Sequence, residues 1–150
     1  MNKGLFYFVI WIPLFLISCV SNKVIQGNEG RILGVVTYER GNQMPGPNKE
    51  IISKGVKREI FFFEVLNAKD VKKEGTFYDV LNAQPILITQ SNTNGEFEVF
   101  IKEGIYTLLT KEDKGFYAAL LDKDNNLNPI VVKGSKTTEV VLLINYNAYY

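Results

Sequence analysis

The sequence predicts an all-β protein, an antiparallel β-sandwich of seven to eight short strands, and three observations carry that prediction. Apolar and β-branched residues recur with a period of two over short segments. Clusters of Gly, Pro, Asn and Asp separate those segments at intervals of about 8–12 residues, the spacing of sandwich strands. Helical periodicity is nearly absent. Only "NAKDVKKEGTFYDVLN" (67–82) offers room for a helical turn, and Gly75 sits in its middle.

The strands follow in order. "RILGVVTYE" (31–39) is β-branched, with Ile32, Gly34, Val36 and Tyr38 on one face. "GNQMPGPNK" (41–49) is dense in Gly and Pro and reads as a loop. "KREIFFFEVLN" (57–67) is an aromatic strand, with Phe61, Phe63 and Val65 opposite Ile60 and Phe62. "QPILITQS" (84–91) is a further strand. "GEFEVFI" (95–101) and "GIYTLLTKE" (104–112) read as an antiparallel pair reversing at Lys102-Glu103-Gly104. "GFYAALLD" (115–122), "NPIVVK" (128–133) and "TTEVVLLINY" (137–146) complete the set. "FFEVLNAK" (62–69) and "FYDVLNAQ" (77–84) echo one another without a third copy, so they are not a repeat architecture. Two strands making similar contacts, or chance, account for them.

The N-terminus reads as a leader. Met1–Lys3 is positive, Gly4–Ile17 is uncharged and strongly apolar, and small residues follow, the order of a secretory signal. Leu16-Ile17-Ser18-Cys19 resembles a bacterial lipobox, which implies that Cys19 is acylated and becomes the mature N-terminus. Its acyl chains, at about 0.8 kcal/mol per buried methylene, would anchor the chain in a membrane. The competing reading is a membrane span, against which stand Pro13, Ser18, Ser21 and Asn22. The expected organisation is a leader at 1–18, an acylated cysteine with a flexible tether at 19–29 and a β-sandwich domain at 30–150.

Composition excludes several chemistries. The chain has 17 basic and 16 acidic residues, and loss of Lys3 with the leader leaves the mature protein formally neutral. Lys57-Arg58 and Lys72-Lys73 are isolated pairs, so nucleic acid is not an expected partner. Histidine is absent and the single cysteine is Cys19, which removes Ser-His and Cys-His nucleophiles, His/Cys zinc sites and disulfides. The single tryptophan, Trp11, lies in the leader.

Gly34-x-Val36, Asn94-Gly95-x-Phe97 and Gly104-x-Tyr106, within a likeness over most of 30–146, resemble the carboxypeptidase regulatory-like domain. That family is a prealbumin-type, Ig-like β-sandwich found in many envelope lipoproteins of the Bacteroidetes. The resemblance implies a non-catalytic appendage, spacer or binding module. Physically, Gly95 supplies a positive φ to close the Asn92–Gly95 turn. Phe97, Val99 and Ile101 then point inward, and Tyr106 and Leu108 return to the core after a reversal at Gly104. A buried Tyr106 needs a partner for its hydroxyl.

The remaining candidates are weaker. Glu96 and Glu98 share a strand face at a spacing that would suit paired carboxylates, but nothing nearby suggests a cleft and a solvated outer face is the better explanation. Asp122, Asp124 and Asn126 have the spacing of a calcium loop, yet Leu127 and Lys133 replace the required Gly and Glu. Transthyretin-like hydrolases use histidines, and an isopeptide bond would require a first-strand lysine where Arg31 stands. Contact residues for a ligand or partner are expected among Met44 and Pro45, in the Gly/Pro loop, and Tyr149 and Tyr150, at the C-terminus. No catalytic residue, metal or cofactor is expected. The expected function is a lipid-anchored structural or protein-interaction module, with a glycan- or peptide-binding module as the alternative. Its partners would be the membrane, through Cys19, and another envelope protein or a glycan. Surface-exported lipoproteins of the Bacteroidetes often carry acidic residues after the cysteine, and "VSNK" (20–23) has none, so the resemblance implies the periplasmic side of an outer membrane.

Overall fold

The computed structural model describes residues 27–44, 46, 53–80 and 82–150. They form eleven strands and no helix: β1 (Glu29–Asn42), β2 (Lys54–Gly55), β3 (Glu59–Glu64), β4 (Lys72–Glu74), β5 (Phe77–Asp79), β6 (Leu87–Gln90), β7 (Glu96–Lys102), β8 (Gly104–Glu112), β9 (Gly115–Tyr117), β10 (Pro129–Val132) and β11 (Thr137–Tyr149). Two sheets pack face to face as a sandwich. The four-stranded sheet has the order β11-β1-β2, with β7 also on β1, and the seven-stranded sheet runs β4-β5-β9-β8-β3-β6, with β10 also on β8.

The strand count exceeds seven or eight because three short strands, β2, β4 and β5, form in segments the sequence does not mark as strands. The sandwich is also not wholly antiparallel. β1 and β11, first and last in the order, run parallel from Arg31↔Thr137 to Asn42↔Tyr149, with an irregularity between Tyr38 and Arg40.

β1 holds the four-stranded sheet together. Its even-numbered backbone groups meet β7 and β2, as in the hydrogen bonds Val36 N to Gly95 O (2.8 Å) and Val56 N to Val36 O (3.1 Å). Its odd-numbered groups meet β11, beginning with Arg31 N to Lys136 O at 2.9 Å. Within this ladder Gly34 stands opposite Phe97. A Cβ on Gly34 would collide with the far end of the Phe97 ring, at its Cζ and Cε atoms, so the ring occupies the volume glycine leaves free. Gly34-x-Val36 and Gly95-x-Phe97 are thus two halves of one packing contact. Gly95 has a φ of 85°, and its turn is closed by Gly95 N to Asn92 O (3.0 Å) and by Asn92 Oδ1, which accepts from Asn94 N and Glu96 N at 2.9 Å each.

The expected hairpin between β7 and β8 does not form. β7 pairs with β1, whereas β8 pairs with β3, β9 and β10 in the opposite sheet. The chain crosses between sheets at Glu103, so Phe97, Val99 and Ile101 face Tyr106 and Leu108 across the core instead of lying beside them. Tyr106 fastens this corner. Its hydroxyl donates to Lys102 O at 2.9 Å, the back-bond of a tyrosine corner, and burial pushes its pKa up. Gly104 begins β8 and is no reversal.

Two further expectations fail locally. The 67–82 segment makes no helical turn; β4 and β5 pair from Lys72↔Asp79 to Glu74↔Phe77 around Gly75-Thr76. The strand expected over 115–122 ends at Tyr117, after which Ala118 folds into a separate apolar cluster.

That cluster explains the aromatic density of β3. Ile60 and Phe62 enter the core between the sheets, together with Ile32, Val36, Leu108 and Ile144. Phe63 turns to the other face of the seven-stranded sheet and packs with Tyr78, Val80, Leu109 and Leu127. The connections around Asn67 and Asn126 roof it over, tied by Leu127 N to Leu66 O (2.9 Å) and Ala68 N to Asn125 O (2.9 Å). Both faces of β3 are therefore covered, so its alternation separates two apolar environments. The sequence echo has the same cause: Phe62 and Phe77 face the first cluster, Phe63 and Tyr78 the second.

Replacing Gly34 by Ala should destabilise the domain by about 1–3 kcal/mol in urea unfolding, the usual range for overpacking a filled site. Pairing Gly34→Ala with Phe97→Leu should recover part of that loss. Additive losses in the double variant would contradict the contact.

Candidate contact surface at the paired ends of β1 and β11

Because β1 and β11 are parallel, their C-terminal ends emerge together, and the segment after Asn42 meets the last residues of the chain. Gln43 N donates to Tyr149 O at 2.6 Å, and Met44 N donates to Asn42 Oδ1 at 2.8 Å. The backbone thus brings Met44 near Tyr149 and Tyr150 in space. Met44 is 53% exposed, Tyr149 69% and Tyr150 64%. Pro45 and Cys19 lie outside the described residues.

The two terminal tyrosines are held differently. The Tyr150 hydroxyl donates to Glu39 Oε2 at 2.9 Å and accepts from Asn145 Nδ2 at 2.9 Å, while Asn145 Oδ1 accepts from the Tyr117 hydroxyl at 2.6 Å. This relay fixes the Tyr150 phenol from the core outward. No hydrogen bond holds the Tyr149 hydroxyl among the described residues, so Tyr149 and Met44 offer the adaptable apolar part of the surface.

Behind them lies a polar network that sequence reasoning missed. Tyr146 packs edge-on against Phe77 and Tyr117, with centroids at 4.9 and 5.2 Å, and its hydroxyl donates to Glu112 Oε2 at 3.0 Å. The Glu112 side chain is only 3% exposed and is compensated by Arg58 Nε at 3.0 and 3.2 Å from its two oxygens. Burial first, then the Glu112 charge, pushes the Tyr146 phenol up to about 12. Arg58 and Glu112 belong to β3's approach and β8, and no local pattern links them.

The other candidates take structural roles. Glu98 Oε1 accepts from Arg31 Nε at 2.6 Å, and Glu96 Oε2 accepts from Asn92 Nδ2 at 2.9 Å. Asp122 Oδ1 accepts from Asp124 N (2.9 Å) and Asn126 N (2.8 Å), and these bonds hold its carboxyl below the usual range. The loop is a turn stapled by its first carboxylate.

No family model matches the chain, and no curated protein matches it. A solved structure similar to it is that of GBS52, the minor pilin in the Gram-positive pathogen Streptococcus agalactiae, at 13% identity and a TM-score of 0.45. The match covers 82% of this chain and 46% of that one, less than half the pilin's length. At that level the likeness speaks to no activity or partner.

The Tyr146 phenol titrates near 10 in the unfolded chain and near 12 when folded, so folding favours the protonated form. Its contribution to stability is complete below pH 10 and is lost as pH rises toward 12. Tyr106 and Tyr117, also raised by burial, act in the same sense. Chemical denaturation across this window should show falling stability, with a shallower fall in Tyr146→Phe. An unchanged slope in that variant would contradict the Tyr146–Glu112 assignment.

Proposed function

We propose that this chain is a lipid-anchored β-sandwich of the bacterial cell envelope and serves as a non-catalytic structural or protein-interaction module. The observation that carries the reading is the apolar N-terminal run ending in Leu16-Ile17-Ser18-Cys19, on the same chain as a sandwich formed by the described residues. The absence of histidine, and the use of Glu98 in a cross-strand ion pair and of Glu96 and Asp122 in turn hydrogen bonds, favour a role in contact over one in turnover. The motif resemblance to the carboxypeptidase regulatory-like domain points the same way, since Gly34, Gly95, Phe97 and Tyr106 all have packing roles. The periplasmic face of an outer membrane is the proposed location.

The anchor is tested by growing a bacterial host with an alkyne-bearing palmitate analogue. The wild-type chain should incorporate the label and fractionate with membranes, and Cys19→Ala should do neither. Equal labelling of both chains would overturn the reading.

A second reading has its own support: the β1–β11 pairing brings the backbone of Met44 near Tyr149 and Tyr150, and all three side chains are exposed, residue types suited to stacking on a sugar or gripping a peptide. A glycan and peptidoglycan array probed with residues 20–150 should then report a ligand whose binding falls at least about tenfold in Tyr149→Ala. Silent arrays, or a ligand indifferent to that change, would exclude this surface as the site.

A further inference from the structure

Each sheet of an open sandwich exposes edge backbone groups, and proteins normally blunt such edges with short length, charge or proline. Five of the edges here follow that rule. β2 has two residues, one of them Lys54, and β4 is Lys72-Lys73-Glu74. β6 has four residues shortly after Pro85, β7 carries Glu96, Glu98 and Lys102, and β10 opens on Pro129. β11 departs from it. It is thirteen residues long, pairs with β1 alone among the described residues, and runs Val140-Val141-Leu142-Leu143-Ile144 without a charge, glycine or proline.

The register shows which groups are free. With Arg31 opposite Thr137 and Arg31 N bonded to Lys136 O, the even-numbered amides and carbonyls of β11 face β1. Those of Thr137, Glu139, Val141 and Leu143 face away. The side chains of these residues lie on the outer face of the sheet, where Val141 is 65% exposed. A groove of about 420 Å³ crosses that face, bordered by Leu33, Val35, Glu96, Glu139 and Val141. Its rim is acidic. Glu98 is paired with Arg31, but Glu96 and Glu139 join no ion pair among the described residues.

We propose that β11 receives an extended segment of another protein by strand addition, a segment alternating apolar with cationic side chains on the groove side. Strand addition satisfies the outward backbone groups of 137–143, and alternate side chains supply specificity. A cation falls beside Glu139, and apolar residues fall beside Val141 and Leu143. Charge argues against a second copy as occupant, because joining two β11 strands would set two acidic rims along one sheet face. This inference rests on the interaction-module reading and names its partner class.

The test uses residues 20–150 and a short fluorescent peptide in which threonine alternates with lysine, valine and leucine, against the same peptide with glutamate for lysine. Anisotropy should report saturable binding of the lysine peptide and weaker binding of the other. Val141→Pro removes an outward N–H and leaves the β1 ladder intact, so it should fold and weaken binding roughly tenfold or more. Glu139→Lys, a surface change, should reverse the preference between the peptides. No binding of the lysine peptide, or equal binding to Val141→Pro and wild type, overturns the proposal. So does concentration-dependent dimerisation abolished by Val141→Pro, which would assign the edge to a second copy. Failure here leaves the Cys19 labelling result untouched, and failure of the labelling leaves the edge untouched.

Discussion

The fold depends on the close approach of β7 to β1 at Gly34. Phe97 lies where a side chain on Gly34 would be, so the ring plugs the sheet surface and enters the core in one contact. The contact sets the β1–β7 register, because a shift of one residue would turn Phe97, Val99 and Ile101 out to solvent. It also leaves the odd-numbered backbone groups of β1 for β11. With β7 and β2 on one side and β11 on the other, β1 is the only member of its sheet with more than one neighbour among the described residues.

From that strand the rest of the molecule is reached by one crossing. β7 continues to β8 through the Tyr106 corner, and β8 gathers β3, β9 and β10 around itself. The core is then the space between a sheet built on β1 and a sheet built on β8. Loops cover the Phe63–Leu109 part of the second sheet's outer face and leave Ile88, Ile105 and Val131 exposed beyond it. The Met44–Tyr149 end and the β11 edge both belong to the β1–β11 pair.

Much of this was legible in the sequence, and the failures are instructive. The period of two placed Ile32, Val36, Phe97, Val99, Ile101, Tyr106 and Leu108 inward, and all are buried. What periodicity cannot supply is the partner of a strand. The pattern from Gly95 to Glu112 fits a hairpin or a crossing equally, and the Tyr106–Lys102 bond, visible only in three dimensions, marks the crossing. The parallel β1–β11 pair joins residues about a hundred positions apart, and no local signal encodes it. The Arg58–Glu112–Tyr146 network was hidden for the same reason. Met44 and Tyr149 were singled out separately on side-chain character, and their convergence is a product of that parallel pairing.

Amide hydrogen exchange along β11 probes both its parallel pairing with β1 and its open far edge. Strong protection is expected at Thr138, Val140 and Leu142, whose amides face β1, and fast exchange at Glu139, Val141 and Leu143. Uniform protection along the strand, or the reverse alternation, would contradict that arrangement.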